Sequence, residues 1–531
     1  MQPKGYFALV LHAHLPFVRH PEHERFLEED WYFEALTETY LPLLDVFEGL
    51  ARGGIHFRVT LSLTPTLLSM MTDPLLSQRY VRYLDERLTA LAAERTRTAH
   101  DPYFHPIVLF YTERYEHLRR RFVEHDRHDV TLAFRRLMES GHLDIVTCGA
   151  THGYFPLLAV NEESIYAQLS MAVRTHTRIL GRRPRGIWLP ECGYKPGVDR
   201  ILREFGIEYF FLDSHGLLNA DPRPKYGVHR PIRTPAGCAA FGRDYESSKQ
   251  VWAAEEGYPG DPTYRDFYRD AGFDVNAPHM EPLRHAGIRT FTGLKYHRIT
   301  GKSDYKEPYH PGWARERAAE HAGHFMFNRQ LQVKWLTGSM DRPPIVLAPY
   351  DAELFGHWWF EGPQWIDFLL RKIAFDQTDI KTILPSEYLD RFGELQPAEP
   401  PECSWGAGGF HEVWLNGTND WMYPYLHDGA ERMSALVRRF QHCDGHLRWA
   451  LDQAARELLL AQSSDWAFIM KTGTSVDYAT RRFKTHLHRF DRLAAMAEQM
   501  QFDEGYLRAV SERDSLFPDM DYRIFQTRPY I

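Results

Sequence analysis

The sequence predicts an α/β fold organised as a (β/α) barrel with helical additions, and three observations carry that prediction. Short apolar strands alternate with amphipathic helical segments over roughly 390 residues. No GxGxxG follows any of these strands, which weighs against a doubly wound dinucleotide fold. Beyond ELQPAEPPECSWGAGGF (394 to 410), where Pro and Gly cluster, strand patterns stop and helical sequence takes over.

In chain order, YFALVLHAH (6 to 14) reads as a buried strand and HFRVTLSLT (56 to 64) as a second, with the helical WYFEALTETYLPLLDVFEGL between them. That is a β-α-β unit. Charged helical sequence then runs from about 75 to about 140 without a strand, as expected of an insertion on a barrel loop. LDIVTC (143 to 148), RGIWLP (185 to 190), IEYFFLD (207 to 213) and PPIVLAPYD (343 to 351) return as strands. These patterns divide the chain into a barrel over 1–400 and a helical domain over 401–531.

Composition narrows the function. Sixty-three Lys and Arg against 71 Asp and Glu give a net charge of −8, so no broad attraction for nucleic acid or anionic membrane is built in. The 14 % aromatic content, with 13 Trp and 28 Tyr, suits cores or flat platforms for rings. Five scattered cysteines form no CxxC pair, so reduced cytoplasmic thiols are expected rather than a disulfide framework or thiolate zinc site. FALVL near the N-terminus is interrupted by His12 and His14 and reads as a strand, not a signal peptide. No apolar window is long enough to span a membrane.

Four constellations sit at strand ends, which a barrel gathers on one rim. His12 and His14, two apart on a strand, share a face and serve as a metal pair, as donors to a polar ligand, or as satisfied core histidines. His152 lies in a turn flanked by Gly149 and Gly153. Glu191 ends RGIWLP as either a salt-bridged structural group or a nucleophile or base. Asp351 ends an apolar strand, with Glu353, His357, Trp358, Trp359 and Trp365 close behind, a setting that raises a carboxyl pKa and offers stacking surfaces. Two carboxylates at strand ends beside aromatic surfaces meet the requirements of glycosidic bond cleavage, with a separation of about 5 Å for retention and roughly 6.5 to 9.5 Å for inversion.

HAHLP, GHLDIVTCGATHGYFP, GIWLPECGY, APYDAELFGHWWFEGP and ECSWGAGGFHEVWLN, in this order and spacing, resemble the five sequence regions of glycoside hydrolase family 57, and among its members the α-1,4-glucan branching enzymes. The likeness runs from His12 to QSSDWAFIM near residue 466. It implies an incomplete (β/α)7 barrel, a helical insertion after the second strand, a C-terminal α-helical domain closing over the cleft, and a retaining mechanism without cofactor or metal. It further implies Glu191 as nucleophile and Asp351 as general acid/base. His12, His14 and His152 would donate to the glucose at the scissile bond, and Trp405, Trp414 and Asp465 would line the cleft from the C-terminal side. Arg269 in FYRD and Gly293 in TGLKYHR carry over as further substrate-binding positions.

The family's branching members carry a mobile loop with a tyrosine at its tip, which shields the covalent ester from water. The corresponding segment is RPIRTPAGCAAFGRDYESSKQVW (230 to 252), with Phe241 and Tyr245 as candidates for the tip. A tip without tyrosine favours hydrolysis over transfer, giving an α-amylase-like enzyme as the alternative. HxH on a first strand is also the signature of metal-dependent amidohydrolases and deacetylases, although WLPECGY and APYDAELFGHWW have no role in those. Trp-rich surfaces alone would suit a non-catalytic glucan-binding protein.

Overall fold

The computed structural model describes residues 2–253, 256–285 and 287–530. Strand β1 (Gly5–Ala13) is buried along its whole length, as a strand with barrel interior on one face and helices on the other must be. It pairs in parallel with β2 (Val59–Leu63), from Leu9 opposite Val59 to Ala13 opposite Leu63. β2 pairs in turn with β3 (Leu143–Val146). A single bridge from Thr147 to Ile187 carries the sheet across to β4 (Gly186–Ile187), beside which lies β5 (Tyr209–Leu212).

The chain next forms a hairpin, in which β6 (Ile232–Arg233) runs antiparallel to β7 (Ala239–Gly242) while β7 pairs in parallel with β5. β8 (Ile345–Asp351) lies on the other side of β1, in register from Tyr6 opposite Ile345 to His12 opposite Asp351. β9 (Ile380–Thr382) caps the start of β1. Among the described residues the turn of the barrel from β7 to β8 rests on one backbone bond, Asp244 N to Leu347 O at 2.9 Å. Parallel strands β8, β1, β2, β3, β4, β5 and β7 therefore make an incomplete seven-stranded barrel, thin at the β3/β4 and β7/β8 seams.

Between β2 and β3 run helices Pro65–Met71, Pro74–Arg97, Phe104–Arg120 and Thr131–Glu139. Pro74 occupies the first helical position after Asp73, whose carboxylate accepts the Leu76 N–H, so the second of these helices starts on both a rigid φ and a satisfied cap. A second excursion follows β7: the described residues of 256 to 310 hold short helical turns and isolated bridges and lie over the first, with Arg87 Nε donating to Thr292 O and Tyr111 to Lys295 O. Helices Met422–Arg439, Gly445–Ala461, Ser464–Thr472, Val476–Gln499 and Glu504–Arg513 form the C-terminal region. Among the described residues no helix is long and apolar enough to cross a membrane.

The expected lid is corrected by the β6–β7 hairpin. Ala-Ala-Phe-Gly is a barrel strand, and Phe241, 1 % exposed, packs against Tyr209, Phe211 and Tyr388. Tyr245 opens the helix Tyr245–Trp252 and, 68 % exposed, faces a separate groove. Neither residue tips a loop over the strand ends.

Candidate active site

The C-terminal ends of the barrel strands open into a cleft of about 830 Å³. His12, His14, His152, Glu191, Asp351, Trp405, Trp414 and Asp465 all line it, so eight of the ten positions singled out in the sequence converge there from across the chain. Arg269 and Gly293 do not. Arg269 is held by Asp274 at 2.9 Å, and Gly293, at φ 81°, donates its N–H to Asp270 while a Cβ there would press on the Tyr115 hydroxyl. Both belong to the cross-links of the second excursion.

Glu191 follows β4 in a tight 3-10 turn, Pro190–Cys192. The turn is made by Glu191 and Cys192 themselves, at φ 60° and 48°, a left-handed conformation costly for residues with a Cβ. Gly193, by contrast, has an ordinary φ and is needed for close approach, since a Cβ would lie 2.4 Å from the Tyr154 ring. His152 is also at positive φ, 59°, while Gly153 makes room for Leu158 and Gln168. Left-handed residues at both strand ends aim their side chains inward.

Two donors hold the Glu191 carboxylate: Trp405 Nε1 at 2.9 Å and Ser464 Oγ at 3.0 Å. Behind Ser464 a chain of contacts runs to His152 Nδ1 (2.8 Å), from His152 Nε2 to His12 Nε2 (3.0 Å), and from His12 Nδ1 to Ser62 Oγ (3.1 Å). Burial, then the neighbouring imidazoles, hold His12 well below its usual pKa, and burial followed by His14 does the same for His152, so both are neutral with one N–H each. Because Ser464 gives its proton to Glu191, His152 must donate through Nδ1 and accept at Nε2. His12 then donates through Nε2 and accepts from Ser62. Every hydrogen of the chain points towards Glu191, which stabilises its ionised form.

His14 differs. Burial pulls its pKa down, but the Asp465 carboxylate at 3.0 Å outweighs that and raises it. Asp465 is correspondingly lowered to about 2: burial opposes the shift, and the attraction of His14 overcomes it. The pair ties β1 to the helix Ser464–Thr472 across the cleft.

Asp351 sits opposite in character. Among the described residues no group donates a hydrogen bond to its carboxyl. Burial first, then the charges of Glu353 and Glu191, hold its pKa well above the usual range, with Arg243 opposing. Glu353 is itself pushed up to about 7 by burial, although it accepts from the Tyr40 hydroxyl and from His14 N–H at 3.2 Å. Burial and the Asp465 charge raise Glu191 too, while its two donors and His14 oppose that shift without cancelling it. Both carboxyls are raised, but donors oppose the shift at Glu191 and none does at Asp351, so the charged form is favoured at Glu191 relative to Asp351, in the sense that nucleophile and acid require.

Several lining residues escaped the sequence reading: Trp31, Glu34, Arg243, Trp252 and Phe468 in the wall, and Ser464 behind Glu191. Ser464 had one signal, its place beside Asp465 in QSSDW. Trp31 and Glu34 gave none, lying in a helix that reads as an ordinary barrel helix. Cys148 joins His12 and His152 in a buried trio whose ligand atoms lie within 4.8 Å of one another. The four imidazole nitrogens of that trio are already engaged by Ser62, Ser464 and each other, and burial raises the Cys148 thiol pKa, so the three fit a donor chain better than a thiolate metal site.

The chain of donors gives a prediction. Ser464→Ala removes one of the two hydrogen bonds to Glu191 and lets its pKa rise, so the acid limb of the pH–rate profile moves to higher pH and the basic limb stays in place. The profile of kcat/KM across pH 4 to 9 checks it; an unmoved acid limb counts against the chain.

Residues 8–331 match the family model of glycosyl hydrolase family 57, and residues 425–525 match that of the 1,4-alpha-glucan branching enzyme C-terminal region. A 1,4-alpha-glucan branching enzyme of Thermococcus kodakarensis is 34 % identical over 97 % of this chain and 77 % of its own length. A probable 1,4-alpha-glucan branching enzyme of Mycobacterium tuberculosis is 30 % identical over 98 % of both chains. Among solved structures, a family 57 branching enzyme of Pyrococcus horikoshii superposes with a TM-score of 0.89 at 34 % identity, over 99 % of this chain and 98 % of that one. An alpha-amylase of Thermotoga maritima superposes with a TM-score of 0.93 at 42 % identity, over 99 % of this chain and 100 % of the other.

Proposed function

The chain belongs to glycosyl hydrolase family 57, and from that premise we propose that it is a retaining 1,4-α-glucan branching enzyme, with Glu191 as nucleophile and Asp351 as acid/base. The observation that carries the residue roles is the contrast between the carboxyls: Glu191 held by two donors, Asp351 buried beside two other acids with none. Glu191 attacks the anomeric carbon as Asp351 protonates the departing oxygen, leaving a glucosyl ester. The 6-hydroxyl of another glucan then attacks the ester, giving its proton to Asp351. Water in place of that hydroxyl gives hydrolysis.

Binding follows from the same walls. His12, His14 and His152 line the wall where the sugar at the scissile bond would sit, their ring nitrogens held by Ser62, Thr64, Ser464, Asp465 and each other, while Trp405, Trp414 and Asp465 line it from the C-terminal side. On this reading residues 1–400 supply the carboxylates and 401–531 close the cleft. An uncharged glucan suits a chain of net charge −8, and the five cysteines, unpaired, suit the cytoplasm.

A second reading, predominant hydrolysis, has an observation of its own. Among the described residues no tyrosine lines the cleft, and the segment expected to provide one is folded into β6, β7 and the helix Tyr245–Trp252. The alpha-amylase of Thermotoga maritima points the same way. Transfer leaves the number of reducing ends unchanged, whereas each hydrolytic event creates one. Incubation with amylose, counting new α-1,6 linkages against new reducing ends, is expected to give branches in excess together with measurable hydrolysis. Reducing ends without branches would replace the first reading by the second.

A further inference from the structure

Helix Tyr245–Trp252 has two aromatic ends in two different places. Trp252, at its last position, lines the catalytic cleft, and Tyr245, at its first, lines a second groove of about 520 Å³. The two positions are about 10 Å apart along the helix axis. The opposite wall of the groove is the helix Pro311–Thr337, which contributes Asn328, Gln332 and Trp335.

Trp335 is 75 % exposed and Tyr245 68 %, although a globular protein buries such rings wherever its core has room. Charges in the groove are matched. Lys249 pairs with Glu256 at 2.8 Å, and Arg329 reaches Glu246 at 3.6 Å and Asp244 at 3.5 Å. A surface with two exposed rings, amide and carboxylate acceptors, and no net field suits an uncharged polyhydroxylated chain better than an ionic partner. Rings take the apolar faces of sugar units, and the polar groups take hydroxyls.

We propose that this groove is a second glucan-binding site, which holds a stretch of α-1,4-glucan on the outer surface and feeds it along helix Tyr245–Trp252 to the catalytic cleft. The proposal rests on the reading of the chain as a glucan-active enzyme. A polymer held at both places gains effective concentration at the cleft, so long chains profit and short ones do not.

Trp335→Ala and Tyr245→Ala, both exposed changes that leave the core intact, test it in two formats. In a Glu191→Gln background, which binds without turnover, retardation in native gels containing amylopectin should fall about fivefold for each change, the scale of one lost ring contact. In the active enzyme, KM for amylose should rise by a similar factor, with kcat on amylose and all constants for maltoheptaose unchanged. Undiminished retardation and unchanged KM in both variants would overturn the groove while leaving the catalytic reading in place. An enzyme that neither turns over amylose nor is retarded by amylopectin would overturn both.

Discussion

Glu191→Gln is expected to lower kcat on amylose by on the order of 10⁴-fold or more, while glucan binding stays near that of the parent. Gln keeps the size of the side chain, and its single carbonyl oxygen can still accept from Trp405 Nε1 while its amide NH2 donates to Ser464 Oγ, so the side chain keeps partners on both sides. What it loses is the charge that, on the proposed mechanism, attacks the anomeric carbon. A second variant makes the result specific to a nucleophile. Glu191→Gly suits the backbone, because φ 60° is free of strain for glycine, and it leaves a space beside Trp405 that azide can enter. With an activated donor such as maltotriosyl fluoride, azide attacking from the vacated face should yield the β-glucosyl azide and restore turnover. Failure of azide to rescue, or an α-glucosyl azide from this variant, would remove Glu191 from the attacking role.

The strand ends that meet at the cleft were legible because each combines a short apolar run with a polar tip. LVLHAH, IVTCGATH, GIWLPE and IVLAPYD are unlike surface turns, and a parallel barrel leaves their tips no other place to meet. The same logic failed at residues 239–242. Ala-Ala-Phe-Gly has no β-branched residue and a weak apolar pattern, and it is a strand because β5 offers its edge, a tertiary fact that no local window contains. Reading the glycines and prolines of residues 230 to 252 as a lid was the consequence.

Arg269 and Gly293 lie away from the cleft for a different reason. Residues 256–310 have almost no regular structure, and their order comes from buried ties such as Asp270 to Thr292 and Gly293, and Lys295 over the Phe267 ring. That excursion still shapes the cleft at one remove, since Phe267 stacks on Trp358 at 4.3 Å, and Trp358, 54 % exposed, lines the catalytic wall. Glu191's hydrogen-bond chain was beyond sequence reasoning altogether, because Ser62, His12, His152 and Ser464 come from four separate places along the chain.

Asp351→Ala should separate the two steps of the reaction. On amylose, whose leaving oxygen needs a proton, kcat is expected to fall by about 10² to 10⁴, the usual contribution of a general acid. On maltotriosyl fluoride, whose leaving group needs none, ester formation should continue and the covalent intermediate on Glu191 should accumulate, visible by intact-protein mass. Azide, which requires no base to attack, should then release it as the α-glucosyl azide, the opposite anomer to that from Glu191→Gly. The pH dependence follows from the raised pKa of Asp351, which burial and the charges of Glu353 and Glu191 impose. The acid is available below its folded-state pKa, so activity on amylose falls as pH rises through that value, and Asp351→Ala should lose this basic limb. If amylose and the fluoride are impaired equally, or if the basic limb survives the substitution, the proton comes from elsewhere, and Glu353, raised to about 7 in the same wall, is the next group to test.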